Sequence, residues 1–256
     1  MTDAIQAALF AFNESVMRLE KATVAAIVVS ERNIGVHHTG RQNRALFLFM
    51  KLIAHDMSML AIVDHYRKSS KGSALLDHFS IASLARTIVD ASLMTMYISH
   101  PSLTRDEWNL RRYVLYLHDL TNRKRILMGS KKNDEAFFRS YPGQKAARIE
   151  KIRRFSKSLR LDDAATTELT KGQKVFVDGA RGAAREAGWD INEFDYVQSY
   201  LSAFVHSYPI SFMRADEHQI SFSDPSDFQI NFCEFAVRVH PGSYLFMTDL
   251  SEHHPD

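Results

Sequence analysis

A chain of 256 residues, 45% of them hydrophobic, is long enough to bury a core and too apolar for wholesale disorder. Its single cysteine, Cys233, excludes an intrachain disulfide framework and a cysteine-rich zinc site. The formal charge of +2 conceals a segregation: residues 111–160 hold 15 basic groups against 4 acidic, whereas residues 190–256 hold 2 against 11. Asp3 stands where a signal peptide would carry Lys or Arg, and the longest apolar stretch, Ala22–Val29, is short of the ~20 residues of a membrane span. A soluble, cytoplasmic chain without a membrane partner is therefore expected.

Only 10 Gly and 6 Pro interrupt the chain, so the segments between them are long enough for helices. Residues 3–29 place Ile5, Leu9, Phe12, Val16, Leu19, Thr23 and Ile27 three or four apart, as one helix face requires. A polar break at 30–40 precedes a second helix over 42–67, through Leu46, Phe49, Ile53, Met57, Leu60 and Val63. A third helix runs from Ala74 to Ser99, apolar on nearly every face and hence central, and Pro101 ends it. Thr104 and Glu107 form a capping box for a fourth helix that Gly129 stops. Shorter helices are expected at 134–139, 142–159, 163–170 and 173–187, and a second capping box, Asp190 with Glu193, opens a helix to Ser207. In the tail, residues 219–232 fit a short β-hairpin by period 2. Phe228, Phe232, Phe235 and Val239 fit a helix, which Asp224-Pro225-Ser226 favours as its start. The pattern predicts an all-α fold, a single-domain bundle of about eight to ten helices.

Two helices carry polar residues suited to chemistry. In the third, Arg86 and Asp90 stand one turn apart on an apolar helix, with Tyr97 two turns further on. A guanidinium buried there must be paired; it either fixes helix register or, held by Asp90, turns free N–H groups to an anion. In the late helix, Asp195, Ser199, Ser202 and His206 fall on one stripe, with His206 near the C-terminus as a core histidine or an acid–base group. Ser202 at mid-helix lacks the strained turn and oxyanion hole of a nucleophilic serine.

These two segments, "SLARTIVDASLMTMYI" and "YLSAFVHS", resemble an uncharacterised family of all-helical, mainly bacterial proteins. Its pattern pairs an Arg-x3-Glu/Asp helix with a Tyr-x-Ser-x3-His helix. The resemblance spans roughly residues 40–210, implies an all-α fold, and singles out Arg86, Asp90, Tyr200, Ser202 and His206 without any established activity. A second, local resemblance lies in "RNIGVHH", where Arg32 and His37 match the Arg-polar-x3-His signature of HEPN-type ribonucleases. It implies metal-independent attack by an RNA 2′-hydroxyl, although in that family the motif opens a late helix and here it falls in the first break.

No HExxH, paired Glu-x-x-His, Gly-rich phosphate loop or dinucleotide fingerprint occurs, so neither a metal nor a cofactor is expected; the pairs His37-His38 and His253-His254 stand alone. The basic middle contains Arg153, Arg154 and Lys157, with Phe137, Phe138 and Tyr141 interleaved, the composition of a sequence-tolerant single-strand binder. Two readings follow. One is a polar site of Arg86, Asp90, Tyr97, Tyr200, Ser202 and His206 for a phosphate-bearing ligand, a nucleotide or single-stranded nucleic acid, with His206 as acid or base and Arg86 as clamp. The other is a non-catalytic interaction module that associates as a homo-oligomer through its charge-split surface.

Overall fold

The described residues form nine α-helices and one 3-10 turn, with no strand among them: α1 (Asp3–Arg32), α2 (Gly40–Lys68), α3 (His78–Ser99), α4 (Arg105–Gly129), α5 (Glu135–Ser158), α6 (Asp163–Thr170), α7 (Gly179–Glu186), α8 (Ile191–Val205), the 3-10 turn Pro209–Ser211, and α9 (Asp227–Arg238). This is a computed structural model, and it describes residues 3–38, 40–69, 75–130, 134–221 and 224–238. Val239 and the pair His253-His254 lie outside the described residues.

The chain groups into two compact units, residues 1–101 with 189–256, and residues 102–188. The second is inserted into the first between α3 and α8, at Pro101-Ser102 and Gly188-Trp189. No linker or change of hydrophobicity marks either junction. Charge does follow the division: residues 102–188 carry 20 basic and 11 acidic groups, the remainder 12 and 19.

In the first unit α1 packs on α2 and α9, and α3 packs on α2, α8 and α9. The four helices α1, α2, α3 and α9 thus close a ring around one core, with Phe12, Phe49, Leu52, Ile81, Ile88 and Ile230 buried in it. The predicted centrality of α3 is observed, with fourteen of its residues buried. Arg41 on α2 donates from Nε to the carbonyl of Ile98 at 3.0 Å and from Nη2 to that of His100, satisfying carbonyls that the end of α3 leaves open. α9 starts after Ser226, as the helix entry Asp224-Pro225-Ser226 favours. The buried Gln229 accepts from the Ser226 N–H at 2.8 Å and donates to the Ser221 carbonyl at 3.0 Å, pinning the preceding loop. Among the described residues, α2 and α3 are long and apolar enough to cross a membrane; two-thirds of the apolar window of α3 is buried in the bundle, against one-third for α2.

In the second unit the Thr104–Glu107 capping box is complete, and Leu110, Val114, Leu117, Ile152 and Leu169 join α4, α5 and α6 in one core. The two helical pieces expected at 134–139 and 142–159 are one helix, α5, running through Pro142. Packing on α4 to either side of the proline holds it continuous. Arg123 sits over the buried Phe137 ring at 4.7 Å, and Phe155 stacks on Tyr113 at 5.9 Å. Tertiary contacts here outweigh the lost backbone bond. The helix expected at 173–187 begins only at Gly179, whose φ of 73° breaks helical progression, as does Gly172 with φ 74°.

Candidate functional site

α3 and α8 are positioned by side-chain caps: Asp77 accepts from the Ser80 N–H at 3.0 Å, and Asp190 accepts from the Glu193 N–H at 2.8 Å. So set, the two helices bring Arg86 and Asp90 of α3 against Gln198 and Ser202 of α8. Arg86 Nε donates to Ser202 Oγ at 3.1 Å and Nη2 donates to Gln198 Oε1 at 3.3 Å. Nη1 forms an ion pair with Asp90, and Gln198 Nε2 donates back to Asp90 Oδ1 at 3.4 Å. The result is a ring of four side chains in which Nε and Nη2 of the guanidinium donate hydrogen bonds and the buried Nη1 faces Asp90 as an ion pair without a hydrogen bond. The Arg86 side chain is 18% exposed and that of Asp90 53% exposed, so the ring lies at the rim of the helix interface. Gln198, which no sequence motif singles out, stands one turn before Ser202 on the same stripe, and that spacing is the signal for it.

The other residues of the predicted site are elsewhere. His206 is the C-cap of α8. It is exposed, its ring lies 5.3 Å from that of Tyr208, and only its backbone N–H reaches back, to the Ser202 carbonyl at 3.0 Å. Among the described residues no hydrogen bond joins its ring to Ser202 or Arg86. Tyr200 points toward α9 and packs against Tyr196, Phe204, Phe232 and Phe235, with ring centroids 5.4–6.3 Å apart. Burial, and secondarily Tyr196, pushes its hydroxyl above the usual phenol range. Tyr97 is buried in the bundle core. Asp195 is half-buried and Ser199 exposed. The structure therefore brings together Arg86, Asp90 and Ser202, and leaves Tyr97, Tyr200 and His206 apart from them.

Arg32 is the last residue of α1 and His37 follows a turn through Gly35, whose φ is 77°. Both are exposed, and nothing joins them among the described residues. No group of three His, Cys, Asp or Glu side chains comes together there to hold a metal ion. No protein-family model, curated protein or solved structure matches this chain. Its function rests on its own geometry.

In the basic unit, Arg153, Arg154 and Lys157 are exposed on the outer side of α5, opposite the buried Ile152 and Ser156. None of the three makes an ion pair or hydrogen bond among the described residues; Arg154 lies over the Phe155 ring at 5.6 Å. The aromatic residues expected to stack on bases are largely committed to packing. Phe137 is buried beneath Arg123, and Tyr141 lies under Lys124 at 4.5 Å. A helix that must bury one face against α4 takes its rings inward and leaves its cations in water.

Proposed function

We propose that this protein is a non-catalytic binding protein whose unit of residues 102–188 engages single-stranded nucleic acid through the outer face of α5. The observation that carries this reading is the unpaired, exposed trio Arg153, Arg154 and Lys157. Cations already neutralised by carboxylates offer a phosphate backbone little, whereas free ones release counterions on binding. The Arg86 ring supports a clamp between α3 and α8 better than a ligand site, because a new anion would have to displace three internal partners at once. The test is fluorescence anisotropy with a labelled single-stranded RNA at about 50 and about 200 mM salt. Replacing all three residues by Ala is expected to weaken binding at least tenfold and to flatten the salt slope by about 2, three contacts at ~0.7 each. Absence of binding at low salt, or an unaffected triple variant, refutes the reading.

A second reading, self-association, is favoured by a different observation. α2 gives Ala45, Phe49, Leu52, Asp56, Met59 and Val63 to the core, yet its opposite face is also apolar. Phe47 (72% exposed), Met50 (58%) and Met57 (54%) lie there with the exposed Ala54 and Ala61, at alternating steps of three and four. Phe10 and Val24 add a similar outer stripe on α1. At roughly 150–250 Å² for a large side chain, these residues leave on the order of 500 Å² of apolar surface, a good part of the ~800 Å² each partner buries in a standard interface. A second copy fits because an antiparallel α2 pair places Phe47 against the partner's Met57 and Met50 against the small Ala54 in turn. Light scattering is expected to show a dimer for the native chain and a monomer for Phe47→Glu with Met57→Glu; a monomeric native chain refutes it.

A further inference from the structure

The second unit holds a cavity that no sequence motif singled out. It has a volume of about 390 Å³ and lies between the C-terminal half of α4 and the turn that follows α6. Its wall includes His118, Asn122 and Arg125 from α4 and Lys171 and Gln173 from the turn, with no carboxylate in it. Three features show that the wall is organised. On α4, Arg125 Nη2 donates to Asn122 Oδ1 at 2.7 Å, while Asn122 Nδ2 donates to the His118 carbonyl at 3.0 Å and lies 2.9 Å from His118 Nε2. The three side chains thus support one another along one helix stripe. Across the cavity, Thr121 Oγ1 donates to the Gly172 carbonyl at 2.7 Å, which fixes the turn to the helix. Gly172 makes that approach feasible: its φ is 74°, and a Cβ there would meet Thr121 Cγ2 at 2.7 Å. Lys171 is meanwhile paired with Glu168, one turn earlier on α6, and both are half-exposed.

We propose that this cavity is a binding site for a phosphate monoester. A dianionic group suits a wall with two permanent cations and neutral donors. The planar guanidinium of Arg125 can contact two of its oxygens and the ammonium of Lys171 a third, while the Asn122 bond pre-sets the guanidinium. Lys171 exchanges an exposed internal carboxylate, a partner of small worth, for the ligand. The volume lies at the small end of ligand cavities, the size of a phosphate with a sugar or base attached. This inference rests on the reading of residues 102–188 as a binder of phosphate-bearing ligands, but the sites are separate. Phe155, between Arg154 and Lys157, stacks on Tyr113 of α4; the cavity begins at His118, about 7.5 Å further along α4 at 1.5 Å per residue, and no residue of α5 lines it.

The same phosphate monoester exists on a free mononucleotide and on the 5′ end of a nucleic-acid strand, and the experiment separates them. Calorimetry on the full chain compares adenosine 5′-monophosphate with adenosine, and anisotropy compares a 5′-phosphorylated with a 5′-hydroxyl decamer. The nucleotide is expected to bind at least tenfold tighter than the nucleoside. Arg125→Gln with Lys171→Gln is expected to erase that difference while leaving the thermal melt and the binding of the 5′-hydroxyl decamer unchanged. Lys171→Gln alone, at an exposed position, is expected to lower it several-fold and covers the case in which the double variant misfolds. A tenfold preference for the phosphorylated decamer assigns the strand end; preference for the nucleotide alone assigns the free ligand. If no decamer binds but the nucleotide does, the cavity stands and the α5 reading falls. Equal binding of nucleotide and nucleoside, or a preference that survives loss of Arg125 and Lys171, overturns the proposal.

Discussion

Replacing Arg86 by Leu distinguishes an internal clamp from a ligand site. The substitution removes the bonds to Ser202 at 3.1 Å and Gln198 at 3.3 Å together with the Asp90 ion pair. A hydrogen bond with one charged partner contributes about 1.5–3 kcal/mol. The ion pair adds about 0–1 kcal/mol, since Asp90 is half in water and screened. Against this, the buried leucine methyls recover about 1–2 kcal/mol of apolar burial. The net is a loss of about 3 kcal/mol, which for a unit of this size lowers the melting temperature by about 6–12 °C. Urea unfolding followed by circular dichroism reads the loss directly. Arg86→Lys, which keeps the charge but not the forked reach, is expected to lose roughly half as much. Nucleic-acid affinity of the folded Leu variant is expected to match the parent. A variant with an unchanged urea midpoint that no longer binds nucleic acid would refute the clamp and restore Arg86 as a ligand residue.

Three other outcomes follow from single sites. Burial lowers the His78 imidazole below its ordinary range despite Asp77 and the Leu76 carbonyl, and burial with Lys51 does the same to His55. The unfolded chain then takes up protons the folded one refuses, so stability is flat above about pH 7 and falls as pH drops through the ordinary imidazole pKa of ~6.5; His78→Phe, measured by urea midpoints from pH 8 to 5, is expected to flatten the fall. Cys233 is fully buried and its thiol is pushed up by burial first and Asp77 second, so a thiol reagent is expected to label it only after unfolding; rapid labelling of the native chain would contradict its placement. Thr104→Ala removes the hydroxyl that accepts from the Glu107 N–H, while the backbone N–H of residue 104 keeps its bond to the Glu107 carboxylate, and is expected to cost about 1 kcal/mol of stability with no change in nucleic-acid binding.

Most of the helices, α5 and the start of α7 apart, and the order in which they come are legible along the chain. Apolar residues three and four apart in α1 and α3, and caps at Thr104, Asp190 and Ser226, act through neighbours on the same turn, so the chain carries them without reference to the fold. It also showed Arg86 beside Asp90, because that pair lies within one helix. What it could not show depends on which helices meet. Gln198 and Ser202 close the ring only because α8 packs on α3 more than a hundred residues later, and His206 is left out because it caps the end of that helix with its ring beside Tyr208. Pro142 reads locally as a break, and contacts of Phe137 and Phe155 with α4 carry the helix through it. The cavity arises where Gly172, left-handed and without a Cβ, lets the turn after α6 close onto Thr121 across fifty-one residues. Local rules reach one turn along a helix. Side chains brought together from distant segments are set by the burial of apolar surface, which is a property of the whole packed chain.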